Sequence, residues 1–436
     1  MKEIRPGKIE DIINYSKFLG FKQISVKEIR EKQDPNLIRK LYEDSVSYLR
    51  ENSKNKISND KFFLGSVDFM VEKKDEENIF RVIEANGGSS RGLSSLTPFC
   101  WKRCYKGLIS TINFVQKPCP LVLIAYPKND KLFYEKLILS DYFSDETGLE
   151  TKLPSEDIEK GGIVLGSYPN VLNYIELKNG VPHFKGKKID VMVGDGLARR
   201  IPSYTEKILE NEINITLANP IYPITDEKAS IYNVVKENRD KLKEFNIEPL
   251  EFWRVHDKQE LIDIVEKNLD KSDLVIKPAR GSGGRGIEVI KNQKNALSKI
   301  NKSLDEFSEE FSYKKEGFPY TITEKVNSKP VYWLGSNRNF DLRIYVTRLD
   351  EELIPCGGLG RAALAPKTEE YKKESFVVNL SGYEGLDINR GIPFNKDNFE
   401  KLGLSEEEVT NLLKASTILF KKTVDNYKKS FNYIKD

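Results

Sequence analysis

The stretch Lys277-Pro278-Ala279-Arg280-Gly281-Ser282-Gly283-Gly284-Arg285-Gly286 lies between two short apolar runs, Leu274 to Ile276 and Ile287 to Ile290. It reads as strand, glycine loop, strand. The glycines leave the backbone bare, so peptide N–H groups can face phosphate oxygens with no side chain in the way. Lys277 and two arginines add positive charge beside them. No Lys-Ser/Thr pair closes the loop, which sets it apart from a P-loop. The apolar run that follows has the character of a strand, not a helix, which sets it apart from a dinucleotide fingerprint. A glycine hairpin laid over phosphates fits; a plain glycine turn between two strands is the alternative.

Working outward, 436 residues are enough for two or three domains with a large core. With 70 basic against 67 acidic residues the net charge is +3, so charge alone implies no attraction to nucleic acid or membrane. Four scattered cysteines, Cys100, Cys104, Cys119 and Cys356, do not make a disulfide framework. Together with only two histidines, they argue against a zinc site. Met1 to Asp11 lacks the apolar core of a signal peptide, and no run of about 18 apolar residues occurs. The expectation is a soluble cytoplasmic protein with reduced thiols.

Residues 1 to about 58 read as helices, with Ile9, Ile12, Ile13, Phe18 and Leu19, then Leu37, Leu41, Val46 and Leu49, as packing faces. Phe62 to Val71 and Ile79 to Ala85 then read as a hairpin of two strands. The first carries Asp68. The second carries Glu84 and Asn86, two residues apart and so on one face. Those two oxygen donors, with Asp68 on the neighbouring strand, suit magnesium, which takes a few protein oxygens together with phosphate and water. The competing reading is a polar strand end running into a turn.

Thr97-Pro98 starts a helix carried by Phe99 to Phe114, its amino end turned toward the Gly87 to Gly92 loop. Leu121 to Tyr126, Gly161 to Leu165 and Ile189 to Val193 read as strands of an α/β layer domain. After them, Gly194-Asp195-Gly196 leads to Arg199 and Arg200 at a carboxyl edge, where open α/β sheets bind ligands. The two arginines are either a bidentate grip on a carboxylate or phosphate, or a solvated surface pair. Thr225 is a candidate N-cap, which puts Lys228 near a helix start. Tyr320 to Val326 alternates as a strand, with Glu324, Lys325 and Val326 as a hinge for a base. Asp341-Leu-Arg343-Ile-Tyr-Val-Thr-Arg is another strand, followed by Gly358-Leu-Gly-Arg361. Ser405 to Tyr427 reads as a terminal helix.

Taken together and in this order, these motifs resemble the ATP-grasp enzymes. The likeness is nearest to their circularly permuted type 2 branch, related to glutathionylspermidine synthetase. The permutation shows as order: the Glu84-Ala-Asn86 strand precedes the glycine flap, where an ordinary chain has the flap first. The resemblance runs from about residue 60 to residue 382. It implies an α/β fold, circularly permuted ATP-grasp with an added α/β layer domain. Residues 1–115 would hold the N-terminal helices and metal strands, and 116–225 the substrate domain. Residues 226–330 would form the lid lobe with its flap, and 331–436 the rest of the core with a terminal helix.

The resemblance implies ATP and Mg2+ as cofactors. Asp68, Glu84 and Asn86 would hold the metal. Lys228, Lys277, Gly281, Ser282, Gly283, Gly284, Gly286, Glu324, Lys325, Val326 and Asn379 would bind ATP. Lys277, Arg343 and Arg361 would serve phosphoryl transfer, and Arg91, Arg199 and Arg200 are candidates for gripping a substrate carboxylate. The stretch after Asn379, Leu-Ser-Gly-Tyr-Glu-Gly, departs from the glycine- and serine-rich run of the type 2 proteins. The implied activity is a carboxylate–amine ligase that forms an amide or peptide bond through an acyl phosphate and releases ADP and phosphate. Its partners are small-molecule or peptide carboxylates and amines, with no nucleic acid and no membrane. Two other outcomes stay open: an ATP-grasp kinase with a stable phosphorylated product, and a nucleotide-binding protein without catalysis.

Overall fold

A computed structural model describes residues 26–88, 91–128, 130–201, 207, 216–279, 284–310, 317–368, 373–376, 378 and 388–435. The packing positions expected from Ile9 to Leu19 lie outside these residues. After a short helical turn, Lys27–Glu31, comes α1 (Pro35–Glu51), started by Asp34, whose side chain accepts from the Asn36 and Leu37 amides, and by Pro35 at the first helical position. Leu37, Ile38, Leu41, Val46 and Leu49 form its buried face. Strands β1 (Leu64–Lys74) and β2 (Glu77–Asn86) follow as the expected antiparallel hairpin. Helix α2 (Pro98–Ile109) begins where Thr97-Pro98 signalled it, although the Thr97 side chain makes no cap hydrogen bond. In α2 glycine is required at 107. A β-carbon there would lie 2.0 Å from Thr347 Oγ1 and 2.8 Å from the Arg348 carbonyl.

The next unit is a parallel sheet. Strand β3 (Leu121–Tyr126) leads to α3 (Phe133–Thr147), then to β4 (Gly162–Ser167) and β5 (Val191–Val193). The strand order is Thr216–Leu217, β5, β3, β4, Thr151–Lys152. Every strand of β3, β4 and β5 is buried throughout, as expected for a sheet covered on both faces.

Helix α4 (Lys228–Glu237) leads into a small antiparallel sheet made of β6 (Phe252–Val255), β7 (Leu274–Pro278), β8 (Glu288–Ile290) and β9 (Tyr320–Glu324). The strand order is β6-β9-β7-β8, and α5 (Gln293–Glu310) lies between β8 and β9 in the chain. The strand–loop–strand reading around the glycine stretch therefore holds for β7 and β8, which pair antiparallel.

Two long strands, β10 (Ser336–Leu349) and β11 (Glu352–Ala362), return to the first hairpin and complete the central sheet. Its order is Gly391–Ile392, β11, β10, β1, β2, with Pro330–Trp333 also pairing with β10. Helix α6 (Glu406–Asp425), opened by a Ser405–Glu408 capping box, supplies Phe420 against Phe62 and Gly65. Along β1 and β10 the side chains alternate. Val67, Phe69, Leu342 and Ile344 are buried in the hydrophobic core, whereas Ser66, Asp68, Asp341 and Arg343 occupy the opposite face. Helix α7 (Tyr427–Lys435) packs near β6, where Arg254 donates to the Ile434 carbonyl and pairs with Glu227 at 3.4 Å. No helix among the described residues is long and apolar enough to cross a membrane.

Candidate functional site

The polar face of the central sheet is set by strand register. Asp68 is the Cα partner of both Arg343 and Glu84, and Asp341 is the partner of Arg361. Directly opposed residues point to the same side, and so do residues two apart, so Glu84, Asp68, Arg343, Asp341 and Arg361 share one face. The Arg343 guanidinium donates from Nε to Asp68 Oδ1 at 2.8 Å and from Nη2 to Oδ2 at 2.6 Å. Arg361 donates from Nη2 to Asp68 Oδ2 at 2.8 Å and from Nε to Asp341 Oδ1 at 2.7 Å, with a further Nη2 bond to Asp341 Oδ2. Burial alone would raise the Asp68 carboxyl, but the two arginines override it and hold it below the usual range. Asp341 is pushed up to about 6 by burial, against the pull of Arg361 and with Asp68 adding to the rise.

Beside this ladder two lysines reach the strand that carries Glu84. Lys228, the first residue of α4, places Nζ 3.6 Å from Glu84 Oε1. Lys277 on β7 donates to the Tyr232 hydroxyl at 2.8 Å, and that hydroxyl donates to the Ile83 carbonyl at 2.6 Å. Burial brings Lys277 down to about 7; Lys228 lowers it further and Glu84 opposes. Both lysines are buried, whereas the Glu84 side chain is one-third exposed and so opens the cluster to solvent. At the end of β2, the buried Asn86 Nδ2 and Ser66 Oγ lack hydrogen-bond partners, and the two residues are Cα partners on neighbouring strands. Buried unmet polar atoms are uncommon in folded proteins and mark places that a ligand, ion or water completes.

The loop that leaves β2 is pinned from several sides. Asn219 accepts from the Phe63 and Leu64 amides at 2.6 and 2.9 Å and donates to the Leu64 and Gly88 carbonyls at 2.6 and 3.1 Å. Thr225 Oγ1 accepts from the Gly87 amide at 3.0 Å. This corrects the expectation of Thr225 as an N-cap. The chain makes a short helical turn, Tyr222–Asp226, and restarts at Lys228 behind Glu227. Further along, the buried Glu135 on α3 accepts from the Gly92 amide, the Ser94 amide and the Ser94 hydroxyl at 3.1, 3.0 and 2.6 Å. Tyr345 donates to the Arg91 carbonyl at 2.9 Å, and the Arg91 guanidinium pairs with Asp130.

The remaining expected residues fall as follows. The Glu324 and Lys325 amides donate to the Glu251 and Asp273 carbonyls at 3.1 and 2.9 Å, so both hinge amides serve the small sheet; Val326 is buried. Gly286, at φ +70°, donates its amide to Glu306 at 3.1 Å and accepts from Ser303 Oγ, which anchors the carboxyl end of the glycine loop on α5. The Gly284 carbonyl accepts from the Ile287 amide. Gly281, Ser282, Gly283 and Asn379 lie outside the described residues. Arg199 and Arg200 diverge: Arg199 pairs with Asp226 and lies over Tyr222, while Arg200 donates to the Gly196 carbonyl and lies over Tyr168.

The structure thus brings Asp68, Glu84, Lys228, Lys277, Arg343 and Arg361 into one linked cluster. Sequence reasoning missed Tyr232, Tyr345 and Glu135. Tyr232 alone carried a signal, standing four residues after Lys228 and so on the same helix face. Among the described residues no three His, Cys, Asp or Glu side chains are arranged to hold a metal. The donor set at the end of β2 is one carboxylate and one amide oxygen, with Asp68 engaged by arginines. That set suits a hard cation that takes its remaining ligands from phosphate and water.

No family model matches the chain, and no curated protein matches it. Among solved structures it is similar to a glutathione synthetase-like effector from Globodera pallida, with TM-score 0.42 and 10% identity over 82% of this chain and 85% of that one. It is also similar to D-alanyl-alanine synthetase A from Vibrio cholerae, with TM-score 0.38 and 12% identity over 72% and 82% of the two chains. VanG D-Ala:D-Ser ligase from Enterococcus faecalis gives TM-score 0.31 and 12% identity over 69% and 99%. At such scores the likenesses carry no argument about this chain, whose chemistry rests on its own geometry.

Proposed function

We propose that this protein is an ATP-dependent carboxylate–amine ligase of the circularly permuted ATP-grasp kind. The observation that carries the reading is two buried lysines at the Glu84 strand, Lys228 paired with Glu84 and Lys277 held by Tyr232 at the Ile83 carbonyl, beside the Asp68–Arg343–Arg361–Asp341 ladder. Two buried ammonium groups beside an open carboxylate suit an anionic ligand, and a nucleoside triphosphate would bring up to four negative charges into such a cluster.

In this reading Lys277 and Lys228 neutralise the nucleotide phosphates, and Arg343 and Arg361 face the transferred phosphoryl group. Glu84 and Asn86 would hold magnesium, which would neutralise phosphate charge when bound. Asp68 joins that set only if an arginine turns from it to a phosphate and leaves it an open oxygen. A substrate carboxylate oxygen attacks the γ-phosphorus as its bond to the ADP oxygen breaks. The amine nitrogen then attacks the acyl carbon, loses a proton and expels phosphate. Arg91, Arg199 and Arg200 are the proposed grips on a substrate carboxylate; Arg91 would have to leave Asp130, and Arg199 would have to leave Asp226, to make that contact.

The test is ADP release by purified protein with ATP and magnesium, against pools of amino acids, short peptides and polyamines, with mass spectrometry of the products. Turnover that depends on one pool, with a product lighter than its two substrates by one water, supports the ligase. A stable phosphorylated product would replace it with a kinase. ATP binding without turnover in any pool would favour the non-catalytic reading.

A further inference from the structure

Tyr232 is fully buried on α4, one helical turn beyond Lys228. Its ring packs against Phe252 at 5.7 Å, and its hydroxyl has two partners on two different sheets. It accepts from Lys277 Nζ at 2.8 Å on β7 and donates to the carbonyl of Ile83, the residue before Glu84 on β2, at 2.6 Å. A tyrosine hydroxyl has one proton to give, and the Ile83 carbonyl can only accept it, so the hydroxyl is left to accept from the lysine.

We propose that Tyr232 is a positioning residue for nucleotide binding, setting the amino group of Lys277 at a fixed place relative to the Glu84 strand. This rests on the ligase reading above and adds to it a residue with no contact to the reacting atoms. A lysine side chain has four rotatable carbons, and an unrestrained one gives up that freedom when it grips a phosphate. Held by Tyr232, Lys277 is ordered before the ligand arrives, and as an ammonium it retains two donors for phosphate oxygens. The same helix face that brings Lys228 to Glu84 thus brings Lys277 to heel from the opposite sheet, with the Ile83 carbonyl as the fixed point.

The experiment is a double-mutant cycle on magnesium-ATP affinity, measured by titration calorimetry with wild type, Tyr232→Phe, Lys277→Ala and the double variant. Tyr232→Phe keeps the ring and removes only the hydroxyl. Affinity should fall about tenfold, as for a hydrogen bond to a charged group, and that loss should vanish in the Lys277→Ala background. An unchanged affinity, or an equal loss in both backgrounds, overturns the proposal, because a general packing defect would weaken binding with or without the lysine. If circular dichroism shows Tyr232→Phe unfolded, 3-fluorotyrosine at 232 replaces it. This keeps ring and hydroxyl but makes the oxygen a poorer acceptor, and a two- to threefold loss confined to the lysine-containing protein is expected. No loss there counts against the proposal equally. A wild-type protein that binds no magnesium-ATP overturns the ligase reading itself, which separates the two failures.

Discussion

Asp68 and Arg343 face each other across adjacent antiparallel strands and are joined by two parallel hydrogen bonds of 2.8 and 2.6 Å, although 275 residues separate them in the chain. The Asp68 side chain is 1% exposed and also accepts from Arg361. Replacing it with alanine strands the Arg343 guanidinium in a buried site and leaves Arg361 with Asp341 alone. Asp68→Ala should therefore cost about 3–5 kcal/mol of stability, read from the urea midpoint. A loss below about 1 kcal/mol would mean that the arginines find other partners and that the ladder does not hold the sheet together.

Glu84 and Asn86 should behave in the opposite way. Glu84 is one-third exposed and its 3.6 Å pair with the buried Lys228 is longer than a hydrogen bond, so truncation costs less than removing Asp68. Glu84→Ala and Asn86→Ala are expected to fold with melting temperatures within about 3 °C of wild type, while magnesium-dependent ATP turnover falls at least about 100-fold. A variant with full turnover removes that residue from the metal set.

Lys277 gives a pH dependence with a definite sign. Its folded value near 7 lies below the ordinary lysine value of 10.5, so between those limits the unfolded chain binds the extra proton. This group's contribution to stability therefore rises with pH through that window and is at its least favourable below about 7. Phosphate charge favours the ammonium form, so nucleotide binding above pH 7 should take up a proton and weaken as pH rises toward 9. Calorimetry in two buffers of different ionisation enthalpy detects that uptake. It should disappear in Lys277→Ala, whose nucleotide affinity should also fall. An unchanged affinity in that variant takes Lys277 out of the site.

Asn219 holds four buried hydrogen bonds at a φ of +66°. Asn219→Ala loses the bonds and keeps the left-handed backbone, so a cost of about 3 kcal/mol or more is expected. Asn219→Gly loses the same bonds but tolerates the conformation, and should be milder by about 1 kcal/mol. Equal denaturation midpoints for the two variants would show that the backbone term is negligible there.

Much of the fold was legible because it is local. Two strand-like runs joined by a charged connection marked β1 and β2, the apolar run Leu121 to Tyr126 is β3 to the residue, and two-residue spacing put Glu84 and Asn86 on one face. What stayed hidden depends on register between distant strands, or on side chains that reach across elements. Nothing in the residues around Asp68 names Arg343 as its partner, because their pairing is decided by how β1 and β10 align. Thr225 carried an N-cap signal, but a hydroxyl that can cap a helix can equally hold the amide of Gly87, and the fold uses it there. Arg199 and Arg200 looked like a pair because they are adjacent, yet neighbours in a helical turn point about 100° apart, and each found its own aromatic ring.

Strand β1 lies inside the central sheet with β2 on one side and β10 on the other. During synthesis the β1–β2 hairpin emerges long before β10 exists, and at ordinary elongation rates the interval for 275 residues is roughly 15–55 s. Throughout it, one edge of β1 offers unpaired backbone groups flanked by Val67 and Phe69, the condition under which strands pair with the wrong chain. Asp68 sits between them as an unpaired carboxylate, a charge that disfavours such pairing until Arg343 arrives. The acid that organises the finished site therefore also guards the nascent one.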